Sequence, residues 1–265
     1  MQDPKINRKH KMLQICILSI ILQPLGSAAE TLPKTHHYAL GGKAMWTFLN
    51  AKMSGTGQPT AANRSEEELF NKSAKKNGRR LGIFGDYLYR VNQMGLGIEA
   101  FWDYGPIDRS LTSQMADFTG FDEAKYEIKQ TNQSEYGLKL KAGYFMKNDL
   151  FLYGLFGIGQ QKNIFEQVVT RINTGADPIP MLEERAKKRK KTNSFIIGGG
   201  VSHALLPSVM IGFEGTISYN PRRKVSFDPH AATTRGAHNY VATMPTVARI
   251  NNTLYSASVK LAYTF

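Results

Sequence analysis

The chain has 265 residues, 42% hydrophobic and 21% charged, with a single Cys and a formal net charge of +13. One cysteine excludes a disulfide framework and a Cys-rich metal site, and the lack of any apolar run near about 20 residues excludes a helical membrane bundle. A mean hydropathy of −0.34 and a pI near 9.7 describe, taken alone, a soluble basic protein with anionic partners. The order of the residues contradicts the word soluble.

The N-terminus places Lys5, Arg8, Lys9 and Lys11 ahead of the apolar run Met12 to Leu22, followed by Pro24 and Gly26-Ser27-Ala28-Ala29. A basic segment, a short apolar segment and a small-residue cleavage site make a signal peptide over residues 1–29, leaving 30–265 as the mature domain. Cleavage removes Cys16, four basic residues and Asp3, so the exported chain carries +10.

Eight strands are predicted in chain order. They are Tyr38–Leu49, Leu81–Arg90, Gly95–Tyr104, Ser134–Met146, Leu150–Gly159, Ser194–His203, Ser208–Tyr219 and Thr253–Phe265. Short turns at Val91–Met94, Lys147-Asn148-Asp149 and Leu206-Pro207 alternate with connections of about 25–35 residues. That alternation is the plan of an outer-membrane barrel, with short periplasmic turns and long extracellular loops. The last strand alternates strictly: Val259, Leu261, Tyr263 and Phe265 share one face. It resembles the terminal strand of bacterial outer-membrane β-barrels, whose final residues are read by the barrel-assembly machinery.

The two faces of each strand separate. One carries Tyr38, Leu40, Trp46 and Phe48, then Leu81, Ile83, Tyr87 and Tyr89, then Leu96, Ile98, Trp102 and Tyr104, with the same pattern in strands four and seven. The other carries the cations Lys43, Arg90, Lys139, Lys141 and Lys260 and the anions Asp86, Glu99, Asp103 and Glu214, among glycines. Alternation alone also fits a soluble lipocalin-type barrel, apolar inside. The signal peptide, the terminal aromatic and the aromatic strand ends favour lipid outside. Strand five is ambiguous, because Phe151, Tyr153 and Leu155 alternate with Leu152, Gly154 and Phe156. The near balance of interior charge suits mutual pairing in a filled lumen.

The stretches GGKAMW, LGIFGDY, GIEAFWDY, LKAGY, NDLFLYGLFG, GGGVSHALLPSVMIGFEG and VKLAYTF resemble, in order and spacing, the barrel of the OmpA family, which includes OmpX-like and opacity-type surface proteins. The resemblance implies an all-β, eight-stranded antiparallel up-and-down barrel in the bacterial outer membrane. It also implies an interior plugged by ion pairs, with Glu99 at the gate glutamate and Lys141 at its lysine partner. The gate arginine position holds Gly212 and the second acidic position Ser202, which leaves Lys139 or Lys260 to replace the arginine; Glu214 falls on a family glutamate. Family members that bind peptidoglycan carry that domain after the barrel, and this chain is expected to lack it.

The loops show no such likeness. Ser65 and Glu68 fit a capping box, so a short helix is expected in loop one. Loop three carries Arg185, Lys187, Lys188, Arg189, Lys190 and Lys191, and loop four Arg222, Arg223 and Lys224. Near the outer rim these basic runs point to lipopolysaccharide or another anionic surface, with a host or anionic polysaccharide as a further partner. No nucleic-acid recognition motif accompanies the charge. Ser202-His203 with Glu214 is the nearest approach to a lipid-modifying hydrolase site, but adjacent strand residues point to opposite faces. The expected protein is therefore a non-enzymatic, cofactor-free and monomeric surface barrel. A narrow channel gated by Glu99–Lys141 is the alternative, and a lipid A-modifying enzyme is ranked below it.

Overall fold

The computed structural model describes residues 35–57, 67–116, 122–146, 150–173, 182–227 and 246–265. The proposed signal peptide and the Lys147–Asp149 turn lie outside them. Eight strands follow in order: β1 (Thr35–Gly57), β2 (Glu67–Val91), β3 (Met94–Ala116), β4 (Asp122–Phe145), β5 (Phe151–Asn173), β6 (Leu182–Leu206), β7 (Val209–Phe227) and β8 (Thr246–Thr264). Each pairs antiparallel with its neighbours, and β1 pairs with β8 to close the barrel. The β2–β3 turn is two residues, with Asn92 at φ 55°, a left-handed conformation that asparagine tolerates.

Lipid-facing bands run along the barrel from Tyr38 to Phe48 on β1, Leu96 to Tyr104 on β3 and Tyr255 to Tyr263 on β8, with large apolar side chains exposed. Each band is near the roughly 9–11 residues that span a membrane. The strands are 19 to 25 residues long, so much of each lies beyond the membrane. Here the structure corrects the sequence reading. Most of the predicted long loops are strand continuations: Glu68 of the expected loop-one helix lies in β2, whose Glu67–Leu81 stretch pairs with Ala44–Gly57 of β1, while Ser65 lies outside the described residues. Backbone pairing with a neighbouring strand overrides the local capping signal.

Above the membrane the barrel opens along two lines. β2 pairs with β3 only as far as Leu81–Tyr104, and β6 with β7 only as far as Phe195–Tyr219. In both cases a proline follows two residues after the last paired tyrosine, Pro106 on β3 and Pro221 on β7. Proline has no N–H to give to a ladder. Gly105, at φ 149°, takes a conformation that other residues rarely adopt, and register shifts fall at Tyr104/Ile107 and Asn220/Arg223. Two four-stranded sheets result, β7-β8-β1-β2 and β3-β4-β5-β6. Their inner faces pack together: Met53, Val225, Phe227, Ala248 and Ile250 from one sheet meet Ile128, Phe165 and Ala186 from the other. Below them Leu49 and Leu254 meet Ile107.

This upper core should be separable from the membrane barrel. Phe165→Ala removes a ring that is 2% exposed and should cost about 3–5 kcal/mol locally. Hydrogen exchange is expected to rise in the upper halves of β4, β5 and β7 while the lipid-embedded amides stay protected. Uniform loss of protection over the whole barrel would contradict the two-part core.

Candidate functional site

Inside the membrane span, alternation brings the predicted interior charges together. Glu99 is fully buried and receives Lys139 at 3.1 Å, Lys141 at 2.7 Å and Lys260 at 2.6 Å. Glu214 receives Lys139 at 2.5 Å, a hydrogen bond from Tyr153 at 3.2 Å and a close contact from Lys260. Lys141 also reaches Asp86 at 2.6 Å, and Lys43 pairs with Asp103 at 2.8 Å. Gly212 is the register partner of Lys260, so the cation beside the family's arginine position comes from β8. Ser202 is buried on the inner face and takes no part in these ion pairs.

Aromatic rings fill the space between the ions. Lys43 and Lys139 each lie 4.7 Å from the Phe101 ring centroid, Lys260 lies 4.8 Å from Phe84 and Lys141 5.2 Å from Tyr153. Desolvated cations gain from the negative faces of such rings. Arg90 stacks over Phe145 at 4.1 Å. Strand five is no longer ambiguous: Phe151, Tyr153 and Leu155 turn inward to this cluster, while Leu152, Phe156 and Ile158 face lipid. Of the proposed assembly signal, Leu261 and Tyr263 on β8 and Phe265 just after it are exposed on the lipid side, and Val259 is half-buried there.

A polar layer that sequence reasoning missed lies above the ion cluster. Glu135 accepts hydrogen bonds from Ser194 at 2.6 Å and Ser218 at 2.7 Å. Gln161 accepts from Asn132 at 2.6 Å and Asn220 at 2.7 Å. Higher still, Arg109 donates to Gln130 and, at 2.9 Å, to Asn252 of the opposite sheet. Gln130 donates to Asn163 at 3.0 Å, and Asn163 to Thr192 at 2.8 Å. Burial without an acidic partner pushes the Arg109 guanidinium below its usual range, though it stays protonated at neutral pH. The interior is thus filled in layers, first ionic and aromatic, then amide and hydroxyl, then apolar.

The basic residues are placed differently from the expectation. Arg185 to Lys191 lie within β6 and Arg222 to Lys224 within β7, so they belong to strands rather than loops. On β6 the alternation sends Arg185, Lys187, Arg189 and Lys191 outward, and Lys188 and Lys190 toward the inner face. Other strands add outward cations that sequence reasoning left unassigned: Lys52, Arg79, Lys129, Lys162 and Arg249, with Lys224 on β7. Every strand except β3, which has Asp108, sets a cation outward two to seven residues above its last lipid-facing apolar or aromatic side chain. The period-2 phase continued from the aromatic girdle was the signal that could have found this collar.

Ser202, His203 and Glu214 do not form a catalytic group. His203 is half-buried on the outer side of β6, opposite Ile211, while Glu214 is held by lysines inside. Among the described residues no cluster of three or more His, Cys, Asp or Glu side chains has the arrangement of a metal site.

A closed up-and-down barrel with an apolar outer band and a filled, charged interior defines a membrane-spanning β-barrel. Residues 25–265 match the family model for the outer membrane protein beta-barrel domain, and the chain belongs to that family. It is an OmpA-like protein of the bacterial outer membrane. The fold is similar to that of the attachment invasion locus protein Ail of Yersinia pestis, at 11% identity and a TM-score of 0.29, covering 84% of this chain and 99% of Ail. It is similar to OprG from Pseudomonas aeruginosa at 13% identity and a TM-score of 0.45, covering 88% and 97%. It is also similar to the outer membrane protease OmpT from Escherichia coli at 11% identity and a TM-score of 0.29, covering 90% and 100%. No curated protein matches by sequence.

The ion cluster makes a stability prediction. Glu99→Gln leaves Lys139, Lys141 and Lys260 to share fewer carboxylates, and should cost about 3–5 kcal/mol. Lys141→Gln leaves Glu99 two lysines and should cost less. Urea unfolding from lipid vesicles, followed by tryptophan fluorescence, gives the order; a Lys141→Gln barrel less stable than Glu99→Gln would contradict the central role of Glu99.

Proposed function

We propose that this protein is a sealed surface barrel whose cationic collar binds the phosphate groups of lipopolysaccharide and anchors a rigid β-structure above the membrane. The observation that carries this reading is the placement of Lys52, Arg79, Lys129, Lys162, Lys191, Lys224 and Arg249 around the barrel, just above the outer aromatic girdle. At that height anionic lipid head groups meet the protein, and each cation near the surface contributes on the order of 1 kcal/mol to such contact. The chain reaches its site by export on residues 1–29 and by the assembly machinery reading Val259, Leu261, Tyr263 and Phe265, and it acts as a monomer without cofactor.

The layered interior supports the sealed form over the narrow channel. Glu99, Gln130, Asn132 and Gln161 have no exposed surface, and the apolar core between the two sheets lies directly over the lumen. A surface-contact role without catalysis is supported by the separation of Ser202 from His203 and by the engagement of Glu214 with lysines.

Two measurements check the reading. The five-site variant K52Q/R79Q/K129Q/K162Q/K191Q should bind lipopolysaccharide vesicles on the order of a thousandfold more weakly, and wild-type binding should fall as salt rises toward about 0.5 M. Equal affinity for phosphorylated and dephosphorylated lipid A would sink the collar. In planar bilayers the wild-type protein should show no steady conductance, whereas reproducible unitary steps would overturn the sealed interior.

A further inference from the structure

We propose that the seam between β6 and β7 is a groove for an extended sulfated glycan, an inference that rests on the reading above that this cationic surface meets polyanions. Beyond Phe195 and Tyr219 the two strands no longer pair, so two sheet edges face each other across a gap. The β6 rim carries Arg185, Lys187, Arg189 and Lys191 outward in strict alternation, all exposed, at intervals of about 6.6 Å along the strand. The opposite rim has Lys224, exposed and outward, and its register partner Arg249 on β8. Lys190 reaches across the gap to donate to the Lys224 carbonyl at 3.0 Å, so the groove is about one lysine side chain wide. The Arg223 and Arg249 Nε atoms, shielded from solvent, have no hydrogen-bond partner.

Charge complementarity selects the occupant. On β5, beside the ladder, Lys162 stands opposite Lys191 and the apolar Ile164 opposite Arg189. Glu166, opposite Lys187, lies 3.8 Å from Arg185. Glu166 therefore sits beside the Arg185–Lys187 end of the row, while the β5 register partners of Arg189 and Lys191 are apolar and cationic. A row of evenly spaced cations on a rigid strand matches a stiff polymer with anionic groups repeated along it. Lys191 belongs to both the row and the collar, and height separates the upper end of the row, Arg185 and Lys187, from the lipid. Arg185 is ten residues above Phe195, which at about 3.3 Å per residue and a tilt near 40° puts it roughly 25 Å above the girdle, well clear of lipid phosphates. An added peptide strand fits less well, because edge lysines and a proline on the β7 edge are features that block strand addition.

The seam on the other side of the barrel supplies the control. β2 there carries Lys75 and Lys76, both exposed, but β3 opposes them with Pro106, Asp108, Ser110 and Thr112, so that seam has no two-sided cationic rim.

The experiment uses the full barrel in phosphatidylcholine nanodiscs free of lipopolysaccharide, with a fluorescent heparin decasaccharide, its desulfated counterpart and a polyglutamate peptide as probes. Wild type should bind the sulfated probe and not the desulfated one. K187Q/R189Q should weaken binding about tenfold and lower its salt dependence, and K75Q/K76Q should change it by less than about twofold. Heat-modifiable gel migration confirms that each variant is folded. Lipopolysaccharide-vesicle binding by K187Q/R189Q should stay at the wild-type level, which separates the groove from the collar. Equal losses in the two double variants, no binding of the sulfated probe by wild type, or equally tight binding of polyglutamate would overturn the groove, whatever the collar does.

Discussion

Glu99 and Glu214 sit at the centre of the lumen, each held by two or three lysines, and the rest of the barrel depends on that arrangement. Eight strands enclose a space just wide enough for side chains, so whatever points inward must fill it and balance its own charge. Glu99 alone, in such surroundings, would be an uncompensated buried anion costing several kcal/mol. Lys139, Lys141 and Lys260 come from β4 and β8, so the same contacts that neutralise the carboxylates also tie distant staves together. The aromatic rings of Phe84, Phe101 and Tyr153 lie against the lysines.

Filling the lumen this way moves specificity upward. The interior of the membrane span is taken up by paired side chains, and its lipid face is bound to be uniform and apolar. The part that can differ is the two-sheet structure above the membrane, held by its own apolar core and by the amide ladder from Asn252 through Arg109, Gln130 and Asn163 to Thr192. Splitting the barrel into two sheets creates free strand edges, which are a liability for unwanted pairing. Along β6 lysine and arginine line that edge, a device that blocks strand addition, and the same charges form the surface proposed to meet polyanions.

Much of this was legible in the sequence where the membrane imposes a strict rule. Between the girdles one face must be apolar, so Leu96, Ile98, Trp102 and Tyr104 declare a strand and its phase, and Glu99 and Asp103 declare the interior. Outside the membrane that rule lapses. In the upper parts of β4 and β5 the inward residues are Gln130, Asn132, Gln161 and Asn163, as polar as the outward ones, and the period-2 signal vanishes although the backbone pairing continues. Those segments therefore read as loops. Glu135 was overlooked for a related reason: its partners Ser194 and Ser218 come from other strands, and no local pattern marks them.

The sequence by itself determined the membrane-facing barrel, the interior position of its charges and the basic excess of its outer half, because these follow from alternation along a single strand. Only the tertiary structure decided which lysine meets which carboxylate, how far the strands run beyond the lipid, and where the sheet opens. Those are relations between strands, set by register and by the places where Pro106 and Pro221 withhold a hydrogen bond from a neighbour. A basic run read as part of a loop became an ordered row of cations because β5 supplied Arg171–Lys162 as the pairing edge that holds it straight.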